Sequence, residues 1–329
     1  MAFGAQSTTD EVLDGVDLSG RTAVVTGASG GLGLETARAL AAHGASVVLV
    51  ARDEQKLQAA VRSLREELPD ATFDTALADL ADLDSVRAAA VSLAARYPAI
   101  DLLIDNAGVM ACPLGRTADG FEMQFGTNHL GHFLLTTLLH DPLAAAAERH
   151  GSARVVVLSS AGHRLGGIRW DDPNYDREDE YFNWDAYGQA KTANALFALE
   201  LDRRWSPEGV HAFSVHPGMI ITDLGRHMQA EDFEFMASVR RTGPGAGGDG
   251  RSSGPSFKSV EQGAATSVWA ATAPELDDHG GAYLEDCHVG QAVDDPDATH
   301  GVREWARDPD AAARLWELSE QLVAAPPAG

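Results

Sequence analysis

Short apolar runs and helical stretches take turns along this chain, and that alternation leaves few folds open to it. Thr22 to Thr26 is a β-branched run that leads into Gly27-Ala28-Ser29-Gly30-Gly31-Leu32-Gly33 and then the helical pattern Leu34 to His43. Ser46 to Ala51 reads as a second strand followed by a helix over Asp53 to Glu67, and Thr72 to Leu77 as a third followed by a helix over Leu83 to Arg96. Ile100 to Ile104 is a fourth, ending at Asp105-Asn106-Ala107-Gly108. A helix around Phe121 to Leu139, a strand Arg154 to Leu158, a helix Ala186 to Trp205 and a strand Val210 to Val215 continue the rhythm. A helix Val260 to Ala271, a strand Gly281 to Leu284 and a helix Asp310 to Val323 close it. Strands of about five residues separated by longer helices predict an α/β fold: a parallel sheet, doubly wound by helices on both faces.

Six to seven strands of this Rossmann-type sheet would form a single domain over residues 20–323, preceded by a flexible, polar arm at 1–19 and followed by a frayed tail at 324–329. Two segments break the rhythm, an insertion at 162–185 and a loop at 219–260 whose Gly243 to Ser256 part has too few apolar groups to pack. Hydrophobic residues make up 44% of the 329, enough for a sizeable core. With 49 acidic residues against 25 basic, the surface field repels phosphate backbones and anionic lipid, so neither nucleic acid nor a membrane is an expected partner. Cys112 and Cys287 make no disulfide framework, no stretch has the length of a membrane span, and the N-terminus lacks a signal-peptide pattern, so the expected location is cytoplasmic.

Two patterns carry chemistry. A glycine turn between a strand and a helix brings backbone N–H groups to a phosphate at the positive end of the helix dipole. The same residues, Gly27-Ala28-Ser29-Gly30-Gly31, also satisfy the G-x-S-x-G nucleophile elbow of hydrolases, but only about 20 residues precede them, whereas that elbow follows several strands. Further on, Tyr187 and Lys191 lie one helical turn apart and share a face. A neighbouring cation favours the phenolate and brings a phenol nearer the range in which it can exchange protons at pH 7. His129, His132, His163 and His216 form no closed ligand set, and no metal is expected.

With TGASGGLG at Thr26 to Gly33, DNAG at Asp105 to Gly108, Leu158-Ser159-Ser160 closing a strand and YGQAK at Tyr187, the chain resembles the short-chain dehydrogenase/reductase family from about Gly20 to about Gly290. The stretches Phe125 to Phe133 and Ala190 to Asn194 look like its retinol dehydrogenase and protochlorophyllide reductase branch. The resemblance implies catalytic roles for four residues: Tyr187 as general acid or base, Lys191 on the nicotinamide ribose, Ser160 rather than Ser159 on the substrate oxygen, and Asn128 on a water-linked proton path to Lys191. It implies a nicotinamide dinucleotide held by Gly27, Ser29, Gly30, Gly31, Leu32 and Gly33, by Asp79 and Leu80, and by Asn106, Ala107 and Gly108. Tyr187, Lys191, Pro217, Gly218, Ile220, Ile221 and Thr222 would complete that contact. Homodimers or homotetramers are common among such relatives.

The implied reaction is hydride transfer between the nicotinamide and the carbonyl or alcohol of a bulky, apolar small molecule. Leu224, Met228, Phe233, Phe235 and Met236 would supply the pocket, with Trp170, Tyr175, Tyr181 or Trp184 from the insertion. The alternative for the aromatic and methionine stripe is ordinary core. Alternatives for the whole chain are an NADP(H)-binding sensor without turnover and an epimerase or dehydratase of related type. Ala51 lacks the acid that an NAD enzyme of this family carries, and the Arg52 guanidinium suits a 2′-phosphate, so NADP(H) is expected ahead of NAD(H). Against this stand Gly30, where many NADP-preferring relatives carry a base, and a reading in which Arg52 is solvated while Asp53 caps the next helix. Arg52→Ala is expected to weaken NADPH binding far more than NADH binding in a fluorescence titration, and equal losses would remove the assignment.

Overall fold

In chain order the elements are α1 (Thr9–Val12), β1 (Thr22–Thr26), α2 (Gly31–Ala42), β2 (Ser46–Ala51), α3 (Glu54–Glu67), β3 (Phe73–Leu77), α4 (Leu83–Arg96), β4 (Leu102–Asp105) and α5 (Met123–Phe125). A π-helical stretch, Gly126–Leu130, then runs into α6 (Gly131–Leu138). There follow α7 (His140–His150), β5 (Ala153–Leu158), α8 (Asn183–Trp205), β6 (Val210–His216), α9 (Val260–Thr272), β7 (Tyr283–Glu285), β8 (His288–Val289) and α10 (Pro309–Ala324). The structure is a computed structural model and describes residues 3–229, 231, 232, 235, 257–295 and 298–324. Phe233, Met236, the Gly243 to Ser256 stretch and all but the first residue of the expected tail therefore lie outside the described residues.

One sheet carries all eight strands in the order β3-β2-β1-β4-β5-β6-β7-β8. β1 to β7 pair in parallel, as the alternation of strand and helix predicts, and β8 adds an antiparallel edge through a tight turn at Asp286 and Cys287, whose φ angles are 51° and 56°. The order reverses between β1 and β4, and open sheets of this kind take ligands at the carboxyl ends of the strands beside that reversal.

Strand period two distributes the core between two layers. Val24, Val48, Leu103 and Val155 face a layer built from α4, α6, α7, α8 and α10, whereas Ala23, Val25, Leu49 and Ile104 face α1, α2, α3 and α9. Because both faces are covered, these strands read as continuous apolar runs.

Three differences from the sequence reading have local causes. Residues expected as a loose arm are built into the fold: α1 starts in a capping box on Thr8 and Glu11, Leu13 is fully buried, and Thr9 donates its hydroxyl to Glu35 at 2.5 Å. The helix expected over Phe121 to Leu139 is broken by the π-helical stretch, and α7 begins one residue after α6 ends at Leu138 with Leu139 between them. Last, the sheet has eight strands where six to seven were expected, because the short antiparallel β8 joins its edge; the expected closing helix, α10, lies across α6 and α8, where the Trp316 ring meets Phe133 at 5.0 Å and Phe197 at 5.9 Å and Ser319 hydrogen-bonds His129 Nε2 at 2.8 Å.

Asp105 ends β4 with no exposure; its Oδ2 accepts from Thr136 at 2.7 Å, while Oδ1 has no partner among the described residues. Burial pushes this carboxyl from 3.8 up to about 7, with the Thr136 hydroxyl pulling the other way. The folded chain thus keeps a proton that the unfolded chain releases from pH 3.8 upward, so stability falls as pH rises from 3.8 to about 7 and levels off above that. Asp105→Asn is expected to raise unfolding stability in urea by roughly 2–4 kcal/mol at pH 8, with the gain fading toward pH 4.

Candidate functional site

The glycine turn can form because two loops meet with no room for a side chain. Gly27 has φ +66°, and a Cβ there would stand 2.8 Å from Ala107 Cα; one on Gly33 would stand 2.6 Å from the Gly27 carbonyl oxygen. Gly30 differs, since a Cβ there meets nothing within 4 Å, so the outer side of the turn is open. Leu32 and Ile220 both close on Gly263, and Thr222 lies against Gly31, which brings the residues after β6 to the glycine turn as expected.

The Thr26 hydroxyl joins that turn to the next loop. It accepts the Asn106 and Ala107 N–H groups at 2.9 and 3.0 Å, and Asn106 Nδ2 donates back to the Thr26 carbonyl at 2.8 Å. His132 is completely buried, and burial pushes it down to about 4, so it is neutral at pH 7. Its Nδ1 faces the Asn128 carbonyl at 3.0 Å, and a carbonyl can only accept, so the proton sits on Nδ1 and Nε2 accepts from Thr26 at 2.9 Å. Both ends of the Asn128 side chain are engaged: Oδ1 accepts from Val109 N–H at 2.8 Å and Nδ2 donates to the Val109 carbonyl at 2.9 Å. This clasp and the histidine hold the π-helical stretch against the loop after β4. Gly108 lies in the same corner, where a Cβ would come within 3.0 Å of Asn128 Oδ1 and 3.8 Å of Lys191 Nζ.

On α8, Tyr187 and Lys191 share one buried face, the ammonium 5.7 Å from the phenol ring centroid. Lys191 Nζ donates to the Leu158 carbonyl at 2.8 Å, beside Asn194 Nδ2 on the same oxygen at 2.9 Å. Ser159 Oγ donates to the Lys191 carbonyl at 2.7 Å, so this serine ties β5 to the helix, while Ser160 Oγ accepts from Gly162 N–H at 3.0 Å and lies nearer the open side. Gly162 lets the loop press on Tyr187, since a Cβ there would stand 2.6 Å from the ring. Burial pushes the Tyr187 phenol up to about 12, against a downward pull from the Ser160 hydroxyl. That corrects the expectation that the ammonium lowers it: Lys191 spends its hydrogen bond on a carbonyl and is itself depressed by burial to about 8.

His216 joins two further pieces, its Nδ1 accepting from Ala161 N–H at 3.2 Å and Gly218 N–H at 3.4 Å, which sets the Pro217-Gly218 turn (φ of Gly218 +94°) beside the Ser160 loop. A separate cleft of about 610 Å³, lined by Arg52, Asp53, Leu77, Ala78, Asp79 and Ser85, lies past the ends of β2 and β3. Asp53 does cap α3, accepting from Lys56 N–H at 3.0 Å, and exposed Arg52 remains beside it on the cleft wall. Asp79 Oδ1 accepts from Ala81 N–H at 3.0 Å, and Leu80 turns away from the cleft to pack under Gly131. An extended ligand with phosphates at its middle fits this line, from the cleft past the open Gly30 and the N-terminus of α2 to the Tyr187 face.

Of the aromatic residues expected at a pocket, Trp184 meets Tyr187 edge-on at 6.0 Å, in a cluster with Ala111, Met110, Leu165, Met228 and Phe235. Trp170 packs on Arg314, while Tyr175 and Tyr181 pack on each other, with the Tyr181 hydroxyl bonded to the Cys112 carbonyl. Sequence reasoning missed His132, Asn194 and Gly162; a His four residues after Asn128 and an Asn three after Lys191, each facing the same way as its neighbour, were the available signals. Among the described residues no group of three or more His, Cys, Asp or Glu could hold a metal, and no helix is long and apolar enough to cross a membrane.

Residues 21–171 match the family described as short chain dehydrogenase. Over 301 residues the chain is 38% identical to short-chain dehydrogenase/reductase prx1 of Penicillium roqueforti, covering 91% of this chain and 84% of that one. It is 39% identical over 310 residues to retinol dehydrogenase 13 of Homo sapiens, covering 93% and 85%. Among solved structures, a gluconate 5-dehydrogenase from Burkholderia cenocepacia in complex with NADP and tartrate is 25% identical, covering 82% of this chain and 94% of that one, with a TM-score of 0.61.

The buried ammonium makes its own prediction. An ordinary lysine at 10.5 lowered to about 8 means that the unfolded chain binds the proton more tightly, so Lys191 costs stability below pH 8 and ceases to do so above pH 10.5. Lys191→Met is expected to stabilise the protein at pH 7 by about 2–3 kcal/mol, an advantage that shrinks toward pH 10 in urea titrations at each pH.

Proposed function

The chain belongs to the short-chain dehydrogenase/reductase family and is an oxidoreductase, and from that premise we propose that it transfers hydride between NADP(H) and the carbonyl or alcohol of a bulky, apolar small molecule. The observation that carries this reading is the convergence of Ser160, Tyr187 and Lys191 beside Asn128, at the mouth of a glycine turn. When bound, the dinucleotide supplies the hydride.

Everything else is work for the chain's own residues. Gly27, Ser29, Gly30, Gly31, Leu32 and Gly33 present backbone N–H groups and the α2 N-terminus to the pyrophosphate. Asn106, Ala107 and Gly108, with Asp79 and the backbone of Leu80, bound the adenosine side. Pro217, Gly218, Ile220 and Thr222 bound the nicotinamide side. Arg52 on the wall of the outer cleft favours a 2′-phosphate, and a solved relative in complex with NADP supports that preference.

In carbonyl reduction negative charge grows on the substrate oxygen, so the Ser160 and Tyr187 hydroxyls act as donors aimed at it, and Tyr187 gives up its proton. A phenol held near 12 is protonated at pH 7 and ready to donate as an acid. In the oxidative direction the same group must accept, and the Ser160 hydroxyl is the neighbour that pulls its proton affinity down. Lys191, near 8, keeps most of its positive charge at neutral pH and would hold the ribose hydroxyls. The Asn128 carbonyl, fixed by His132, is the acceptor from which a water-linked path to Lys191 would start.

Trp184, Met228 and Phe235 beside Tyr187 support an apolar substrate. Pairing into a homodimer or homotetramer through the outer side of α8 would have to take place over α10, whose Trp316 already covers Phe197. A cytoplasmic enzyme remains the reading that the composition favours.

The test is NADPH absorbance with a panel of ketones, aldehydes and quinones, with Tyr187→Phe beside the native chain. Turnover by the native chain that falls at least about a hundredfold in the variant supports a tyrosine-dependent reductase. Tight NADPH binding without turnover on any compound would move the reading to a sensor.

A further inference from the structure

The first turn of the Tyr187 helix carries an attachment that belongs to a distant part of the chain. Phe182 precedes that helix and gives it no side-chain cap. Instead Asp232, 8% exposed and beyond β6, lies against the residues that follow: Asn183 Nδ2 donates to its Oδ1 at 2.9 Å and the Trp184 indole N–H donates to the same oxygen at 2.8 Å. Its second oxygen accepts from Gln229 N–H at 2.7 Å. Burial opposes the charge, yet the donors at Gln229, Asn183 and Trp184 hold the carboxyl below its ordinary value, so it is ionised at neutral pH. A negative charge at a helix N-terminus also suits the helix dipole.

The indole that Asp232 fixes has two other neighbours. Phe235 stacks on it at 5.5 Å with planes 26° apart, and Tyr187 meets it edge-on at 6.0 Å, 89° between planes. Met228 joins the same cluster, and Phe182 touches Phe235 at 5.3 Å. The wall beside the tyrosine is thus assembled from two remote segments, and the carboxylate is the polar contact that sets their register.

We infer that Asp232 is a specificity-determining positioning residue: by holding Trp184 and the residues around itself together, it forms the apolar wall that accepts bulky carbonyl compounds at Tyr187. This rests on the reductase reading above and adds to it a residue that selects substrate size without touching the reacting atoms. Loss of the carboxylate leaves the buried indole N–H without its acceptor and leaves Asn183 Nδ2 with the Ala111 carbonyl at 3.3 Å, and a buried donor is expensive to leave unpaired. The wall would shift toward water, and a long apolar chain would lose its contact surface while a short one had little to lose.

Kinetics with decanal and propanal at saturating NADPH would test this in the native chain, Asp232→Ala, Asp232→Asn, Trp184→Phe and the double variant Asp232→Ala with Trp184→Phe. Asp232→Ala is expected to raise KM for decanal about tenfold more than KM for propanal, with Asp232→Asn between it and the native chain because one acceptor oxygen remains. Trp184→Phe keeps an aromatic ring, though a smaller one, and loses the N–H, so it should act in the same direction, and the double variant should be no worse than the more severe single one. Equal changes for the two aldehydes, or single effects that multiply in the double variant, would overturn the inference. Should neither aldehyde be turned over by the native chain, the reductase reading fails on these substrates, and hydrogen exchange then decides the inference by itself. The Gln229 amide should lose protection in Asp232→Ala and also in Trp184→Phe, whereas native protection in Trp184→Phe would sink the coupling.

Discussion

The close meeting of two loops at the ends of β1 and β4 is the constraint on which the site rests. Gly27 and Gly33 have no Cβ where one would strike the opposite backbone, and the Thr26 hydroxyl then completes the junction with its two accepted N–H groups and its bond to His132. One polar atom thereby ties the phosphate-type turn, the Asn106 loop and the carbonyl of Asn128 into a single rigid piece. Buried polar networks of this kind specify geometry when every member is satisfied, and here the tautomer of one imidazole satisfies all of them. A larger residue at Gly27 would push the loops apart and move the Asn128 stretch with them.

The electrostatics on the other side of the site follow from burial rather than pairing. Tyr187 and Lys191 are pushed in opposite directions by the same loss of water, and both shifts favour the uncharged form. Their proton affinities, close together in water, are driven apart to about 12 and about 8, and titratable pairs separated in this way by their surroundings are suited to distinct acid and base roles. The protein bears the cost of an ammonium in a low-dielectric corner, where the Leu158 carbonyl accepts its hydrogen bond, and that cost is of the kind that functional sites carry.

Much of this was legible beforehand. The period-two and helical alternation gives the sheet, since both faces of β1 are buried and each strand is a plain apolar run. Tyr187, Lys191, Ser160 and the glycine turn are legible because their spacing is local. What stayed hidden is what depends on distant partners: α1 looks like an arm until Glu35 and α9 are beside it, and Asp232 looks like one more surface acid until Trp184 is. The π-helical stretch was invisible for a related reason. It carries the clasp of Asn128 on Val109, 19 positions away, and no helical periodicity reports such a contact. Trp170, Tyr175 and Tyr181 misled because aromatic residues in an insertion read alike whether they face a pocket or, as here, Arg314 and one another.

The bond between His129 and Ser319 has a consequence for how the molecule is made. The two residues are 190 positions apart, and His129 adjoins the asparagine that the site uses. At roughly 5–20 residues per second, a ribosome takes on the order of 10–40 s to travel between them. Strands and helices that form within microseconds to milliseconds would already be in place by then. Through that interval the aromatic cluster around His129 has no Trp316 above it, so the nascent chain carries an uncovered apolar face directly behind its future site. Closure of the enzyme is therefore a late event in its synthesis, and the window before it is where a chaperone, or another nascent copy, would find something to hold.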